Sequence, residues 1–235
     1  MKNILSILAA TALCAFMGGC GDGGAAALQK RAEEGDTQAQ CELGYKYLIG
    51  KDVSQDYAQA FEWFQKAADQ GYAGAQFELG AMYFAGRGVP QSYDKALVWV
   101  QKAADQDYAA AQYFLGGMYF AGQGVPKNGE KAVEWVQKVA DQGFVDAQFH
   151  LGQIYYILQN YEKAFEWYHK AAEQGYDLAQ YELGTMYAEG KGIAKDYEQA
   201  RKWFDKVNAS WDQAKKNPKK KKIMKFFLPP PVTRS

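Results

Sequence analysis

The sequence has few of the residues from which most metal sites and disulfide frameworks are built. Its 235 residues include three cysteines and two histidines. Cys14 and Cys20 lie near the N-terminus, so Cys41 alone remains for a folded region, and an internal disulfide framework is excluded. His150 and His169 are 19 residues apart and lie in no cluster with zinc-site spacing. We therefore expect no metal and no cofactor, and we expect Cys41 to be a small buried side chain.

The sequence also lacks an apolar run long enough to span a bilayer comfortably. The longest run, ILSILAATALCAFM, has 14 residues and follows Lys2, a combination that is typical of a secretory leader. Gly19-Cys20 resembles the modified cysteine of a bacterial lipoprotein signal, although Met17 and Gly18 match that signal less well. We predict a signal peptide over residues 1–19, lipidation of Cys20, and a flexible tether within residues 20–27. Ordinary cleavage near this point or an uncleaved anchor is the alternative.

Net charge is absent as well, because Lys plus Arg and Asp plus Glu both number 27. This balance hides an asymmetry: residues 211–235 hold eight basic residues and one Asp, so the remainder of the chain is acidic. We predict that residues 211–235 form a disordered basic tail. The tail is either merely solvated or contacts anionic lipid through its lysines together with Ile223, Met224, Phe226 and Phe227. Binding of nucleic acid is disfavoured because the chain carries a secretory leader.

An internal repeat dominates the rest of the chain. A Leu-Gly pair recurs at intervals of 36, 36, 36 and 32 residues, and a tyrosine follows each of these leucines by four positions. The leucines are Leu43, Leu79, Leu115, Leu151 and Leu183, and a tryptophan follows later in each repeat at Trp63, Trp99, Trp135, Trp167 and Trp203. Self-similarity at this period is typical of stacked supersecondary units.

Each repeat reads as two helices, which we name A and B. In helix A, Ala75, Leu79 and Tyr83 stand at four-residue steps, and in helix B, Ala60 and Trp63 begin an i, i+3, i+4, i+7 apolar stripe. One repeat alone would leave its aromatic stripe in water, so neighbouring repeats must stack. The segment near 24–34 mirrors the end of a B helix, which predicts a lone N-terminal half-unit.

This pattern resembles the Sel1-like repeat family, which is related to the tetratricopeptide repeats. The Leu-Gly-x-x-Tyr step, the Gly-x-Gly-Val of residues 86–89 and 122–125, and the stretch 95–104 carry the resemblance over roughly residues 37–210. It implies an all-α, right-handed solenoid of five helix-turn-helix units plus the half-unit, within residues 28–210. Two repeats depart from the pattern: the first has Gly50 and Asp52 in place of the glycine pair, and the fourth has a shorter loop.

Two motifs that suggest catalysis are better explained by the repeat. The glycine pair Gly86 and Gly88 follows no strand and opens no helix, as a phosphate-binding loop would require. Ser92 and Lys95 have the Ser-x-x-Lys spacing of serine acylases, but the Ser92 column reads Asp, Ser, Asn, Asn, Asp, which are the preferred helix N-cap residues. The family includes members described as β-lactamases, which carry paired cysteines that this chain lacks. We therefore expect no enzyme, with hydrolysis as a weak alternative.

The informative surface is the side of helix A that points away from the Leu and Tyr columns. It carries aromatic residues where a free surface should be polar, which favours a groove for a peptide or partner helix. The competing interpretation is that helix A is packed on both sides. The candidate groove residues are Phe77, Tyr113, Phe149, Tyr181, Phe84, Phe120, Tyr156, Tyr45 and Gln153.

Together these features predict a non-catalytic scaffold or adaptor for protein–protein interaction. We expect it on the periplasmic side of a bacterial cell envelope, bound to the membrane through Cys20, with another protein or peptide as its partner. The alternative is a secreted effector or immunity factor that binds a host or rival-cell protein.

Overall fold

The computed structural model describes residues 25–215, which form eleven α-helices and no β-strand. The helices are α1 Ala25–Glu33, α2 Thr37–Ile49, α3 Tyr57–Asp69, α4 Ala73–Ala85, α5 Tyr93–Ala104, α6 Ala109–Ala121, α7 Gly129–Ala140, α8 Val145–Ile157, α9 Tyr161–Glu173, α10 Asp177–Glu189 and α11 Tyr197–Lys215. The predicted all-α class is confirmed, and α1 is the predicted N-terminal half-unit. Helical structure begins three residues before the predicted repeat region of 28–210 and continues five residues beyond it.

The helices are divided between two compact units, whose boundary lies between Gln142 and Gly143. The first unit contains α1 to α7, of which α2, α4 and α6 are A helices and the others are B helices. The second unit contains the A helices α8 and α10 and the B helices α9 and α11. In each unit an A helix packs against the B helix that follows it, and that B helix packs against the next A helix. Stacked helix pairs, as predicted from the repeat, are therefore confirmed within each unit.

The glycine of each Leu-Gly pair is where helix A and helix B approach most closely. A Cβ on Gly80 would lie 2.5 Å from Val100 Cγ2 and 3.1 Å from the Ala96 carbonyl oxygen. Gly116 meets Val136 in the same way, whereas Gly44, Gly152 and Gly184 lie against the rings of Phe64, Tyr168 and Phe204. The partner is always the residue after the repeat tryptophan. Glycine is therefore required here by space, since its backbone conformation in the helix is ordinary.

Buried glutamine side chains form hydrogen bonds between consecutive helices. Gln76 Nε2 donates to the Ala68 carbonyl at the end of the preceding B helix, and Gln76 Oε1 accepts from Gln106 Nε2 at 2.7 Å. Gln40 makes the equivalent pair of bonds, with Ala32 at 3.0 Å and Gln70 at 2.9 Å. Because Gln40 and Gln76 are 4% and 6% exposed, these bonds satisfy backbone carbonyls at helix ends that water does not reach.

The caps predicted from the sequence are confirmed. The side chains of Asp56, Ser92, Asn128, Asn160 and Asp196 each accept hydrogen bonds from backbone N–H groups at the start of their B helix. Gly71, Gly143 and Gly175 adopt positive φ after their B helices, and Asp107 takes the same conformation with φ 57°.

The second glycine of the predicted glycine pair has a packing role. A Cβ on Gly88 would lie 2.6 Å from the carbonyl oxygen of Tyr57, at the start of the preceding B helix. Gly124 and Gly192 lie in the same way against Tyr93 and Tyr161. The A–B loop of one repeat therefore rests on the start of the preceding B helix.

A Gly80→Ala substitution tests the requirement for space. The added methyl group overlaps Val100, so we expect a loss of roughly 1–3 kcal/mol in the free energy of unfolding, measured by urea denaturation. The double variant Gly80→Ala, Val100→Ala should be less destabilised than the sum of the two single variants, because shortening Val100 makes room for the methyl group. Strict additivity of the two changes would contradict this contact.

Candidate functional site

The candidate groove residues lie on the A helices, but they differ in how far solvent reaches them. Tyr45, Phe84, Tyr113 and Phe120 in the first unit, and Gln153, Tyr156 and Tyr181 in the second, are partly exposed. We call these residues the A face of their respective units. Phe77 and Phe149 are 2% and 5% exposed and therefore belong to the interior. The two interpretations left open by the sequence thus each apply to part of the set.

Phe77 and Phe149 are buried by the aromatic residue that precedes the next A helix, and Phe77 also by Phe114 of that helix. The ring centroid of Phe77 is 5.8 Å from those of Phe114 and Tyr108, and that of Phe149 is 5.0 Å from that of Tyr176. Such pairs add to the stability gained from burial. Neither Phe77 nor Phe149 can offer a surface to a partner without moving Tyr108 or Tyr176.

The partly exposed rings of the first unit differ in how firmly they are held. Phe84 lies 5.0 Å from both Phe114 and Tyr93, so it also packs against the core. Phe120 has a looser setting, in which Lys127 Nζ lies 5.8 Å from its ring centroid. Phe120 is therefore the A-face aromatic of this unit that a partner could contact with the least disturbance.

Sequence reasoning missed the aromatic residue that precedes each A helix after the first. Tyr72, Tyr108, Phe144 and Tyr176 occupy the N-cap positions, and none of them makes a side-chain capping bond. Phe144 is 51% exposed. The signal was present as an aromatic residue directly after Gly71, Asp107, Gly143 and Gly175, at the turn between repeats.

A buried carboxylate lies beside the A face of the first unit. Glu78 is 5% exposed, and its Oε1 accepts a hydrogen bond of 2.6 Å from the hydroxyl of Tyr45. Burial raises the pKa of Glu78 to about 7, although the Tyr45 hydrogen bond and the charge of Arg87 act in the opposite direction. Burial, followed by the charge of Glu78, raises the pKa of Tyr108 to about 12.

The A face of the second unit carries a different polar cluster. Lys191 Nζ donates to the hydroxyl of Tyr156 at 2.8 Å and pairs with Glu189 at 2.8 Å. Hydrogen bonds to Glu189 and then to Tyr156 raise the pKa of Lys191. Tyr156 also lies 5.1 Å from Tyr161 in an edge-on arrangement. This cation is therefore already paired within the unit.

The candidate catalytic residues Ser92, Lys95 and Cys41 have structural roles in the repeat. Ser92 Oγ accepts from the Lys95 backbone N–H at 3.3 Å, and Lys95 Nζ lies 5.3 Å from the ring centroid of Tyr83. Cys41 is buried, which raises the pKa of its thiol and disfavours the thiolate that a nucleophile requires. Ser92 thus acts as the predicted cap and Cys41 as the predicted buried apolar side chain.

Within residues 25–215, no group of three or more His, Cys, Asp or Glu side chains is arranged to hold a metal ion. Across the same residues, no helix combines the length and apolar character needed to cross a membrane. Cys20, the predicted signal peptide and the basic tail beyond residue 215 lie outside the described residues.

Comparison with known proteins identifies the repeat. The Sel1 repeat model matches residues 37–72, 73–108, 109–144, 145–176 and 177–206. A protective antigen of uropathogenic Escherichia coli strains, which has an SLR fold, is 40% identical with a TM-score of 0.74. That match covers 78% of this chain and 40% of the antigen. A Sel1 repeat protein from Oxalobacter formigenes is 32% identical with a TM-score of 0.68, and the match covers 78% of each chain.

A shorter match connects the chain with a characterised binding protein. The secretory immunoglobulin A-binding protein EsiB of Escherichia coli strain CFT073 is 45% identical over 38 residues. These residues are 16% of this chain and 8% of EsiB. The chain thus spans less than half the length of either Escherichia coli protein.

The raised pKa of Glu78 predicts a pH-dependent stability. An unfolded chain ionises Glu78 near its ordinary pKa of 4.5, whereas the folded chain retains the proton until about pH 7. The folded state is therefore favoured at low pH, and this contribution, on the order of 3 kcal/mol, is lost as pH rises from about 4.5 through 7. Urea denaturation between pH 5 and 8 measures it. Glu78→Gln should remove this part of the pH dependence, and Glu130→Gln at an exposed position should not.

Proposed function

The chain belongs to the Sel1 repeat family, and we propose that it is a non-catalytic scaffold that binds another protein or peptide on its A face. Sel1 and tetratricopeptide-like repeat proteins generally act as protein–protein interaction scaffolds. The observation that carries the proposal is the set of partly exposed aromatic side chains on the A helices within each unit. Aromatic side chains that are partly exposed and held by their neighbours are typical anchors of protein interfaces.

The packing of the first unit supports this assignment. The B-helix side of each A helix is filled, because Leu79, Leu115 and Met118 are fully buried there. Phe120 on the A face remains partly exposed, and so does Tyr113, although Tyr113 also packs against the buried residues around Phe77 and Leu115. A partner that covers these rings gains apolar burial without any rearrangement of the helix pairs.

We further propose that the protein acts at the periplasmic side of the bacterial envelope, anchored by a lipid on Cys20. The support is the apolar leader followed by Gly19-Cys20 and by the glycine-rich sequence of residues 21–24, directly before α1. The tail, with lysines and Phe226 and Phe227, supports an additional contact with anionic lipid.

A second candidate function is the binding of a host or rival-cell protein by a secreted form. The likeness to a protective antigen and the short match to an immunoglobulin A-binding protein favour this candidate. It requires the same A face and differs in where the protein acts.

Loss of Phe120 should release the partner. We expect the full-length chain, crosslinked in its own cells, to capture a partner that Phe120→Ala does not capture, because an interface anchor has been removed. Val98→Ala is the matched control, since Val98 is an apolar residue of α5 that is 53% exposed. Circular dichroism must show that both variants remain folded. Equal capture by all three chains would contradict the A face as the binding surface.

The proposed anchor has its own test. Labelled palmitate should be incorporated into the full-length chain and into Cys41→Ser, but not into Cys20→Ser. Release of unlabelled protein into the medium would refute anchoring and favour the secreted alternative.

A further inference from the structure

We propose that Glu78, together with Tyr45 and Tyr108, forms a binding site for a guanidinium or ammonium side chain of the partner. This inference rests on the proposed function, because it assigns a chemistry to one place on the A face. It concerns the first unit alone, where α2, α4 and the turn before α6 bring these residues together.

The first support is that Glu78 is a buried carboxylate without a counter-cation. It is 5% exposed, and within residues 25–215 no Lys, Arg or His lies within the 4.0 Å of an ion pair with it. Arg87 is exposed and influences Glu78 only through space. Burying a carboxylate is costly unless a cation or several hydrogen bonds compensate it. In the free protein, the hydrogen bond from Tyr45 compensates only part of this cost, because burial still raises the pKa of Glu78 to about 7.

The second support is a pair of tyrosines whose hydroxyl groups interact with this carboxylate, Tyr45 by a hydrogen bond and Tyr108 through its charge. Tyr45 comes from the preceding A helix and donates to Glu78, and Tyr108 comes from the turn that leads to the next A helix. Both rings are partly exposed, and the charge of Glu78 acts on the hydroxyl groups of both. Among the other groups whose charges act here, Arg87 is a cation but is exposed, whereas Cys41, Glu42 and Tyr72 are neutral or anionic. The surroundings therefore favour a positive charge.

The arrangement is specific to one place in the repeat. The positions that correspond to Tyr45 and Glu78 one repeat later are Ala81 and Phe114, and Phe114 is a core residue. In the second unit, the corresponding positions are Gln153 and Glu182. Glu182 is partly exposed, and no tyrosine hydroxyl within residues 25–215 donates to it. A basic side chain of the partner would therefore be fixed at the second A helix, which sets the register of the bound peptide.

A guanidinium group suits these surroundings best. It is planar, remains charged, can donate two parallel hydrogen bonds to a carboxylate, and stacks on tyrosine rings. An ammonium group meets the charge requirement without the stacking. An acidic partner residue at this position would be repelled, and a neutral one would leave the carboxylate without a cation.

Peptide selection with the full-length chain tests the proposal. Random 12-residue peptides displayed on phage are selected on the native chain, on Glu78→Gln and on Glu182→Gln as the control in the second unit. We expect Arg or Lys to be enriched at one peptide position with the native chain and with Glu182→Gln, but not with Glu78→Gln. A synthetic peptide of the selected sequence should bind Glu78→Gln at least about tenfold more weakly, as expected for loss of a charged hydrogen bond. Its norleucine analogue should bind both chains equally.

The outcomes separate this inference from the proposed function. Selection of peptides without a basic residue, or equal affinity of the basic peptide for native chain and Glu78→Gln, overturns the cation site and leaves the A face intact. Failure to select any peptide counts against a peptide-binding A face, and the site is then examined with n-butylguanidinium chloride. The probe should shift the ring resonances of Tyr45 and Tyr108 in the native chain and not in Glu78→Gln. Absence of that shift from the native chain also overturns the cation site.

Discussion

Close contact between each helix A and the following helix B depends on one glycine. Gly80 and Gly116 leave no room for a methyl group against Val100 and Val136, and the other repeats press a phenylalanine or tyrosine ring against the same position. With the helices this close, the alanines and leucines between them become fully buried. The glutamines then bond the helix ends. Of the aromatic side chains on the far side of helix A, Tyr45 and Phe84 also pack against rings of the following B helix, whereas the ring of Phe120 has Lys127 beside it.

The aromatic residues of the A helices differ in role, because some stabilise the fold and others remain partly exposed. Phe77 and Phe149 are covered by Tyr108 and Tyr176 and contribute to stability. Phe120 is approached by Lys127 from the A–B loop of its own repeat, and Tyr156 by Lys191 from the A–B loop of the next repeat. Equivalent positions of neighbouring repeats also differ in chemistry, since buried Glu78 is replaced by the core residue Phe114 one repeat later.

Periodicity predicted the features that depend on residues close in sequence. The helix pairs, the N-caps such as Ser92 and the half-unit α1 all follow from local patterns, and each was confirmed. The exposure of the candidate groove did not follow, because it depends on the next repeat. Phe77 and Tyr113 occupy equivalent positions, yet only Phe77 is fully enclosed. Burial of Glu78 depends on Tyr45, 33 residues away, and no local pattern indicates such a pair.

Photocrosslinking in intact cells tests the central claim most directly. A benzophenone amino acid replaces Phe120 on the A face in one chain and Val98 on α5 in another, and both chains are irradiated in the cells that produce them. The account predicts a discrete crosslinked partner from position 120 and none from position 98. A partner crosslinked from position 98 alone would contradict it, because binding would then occur on the B helices.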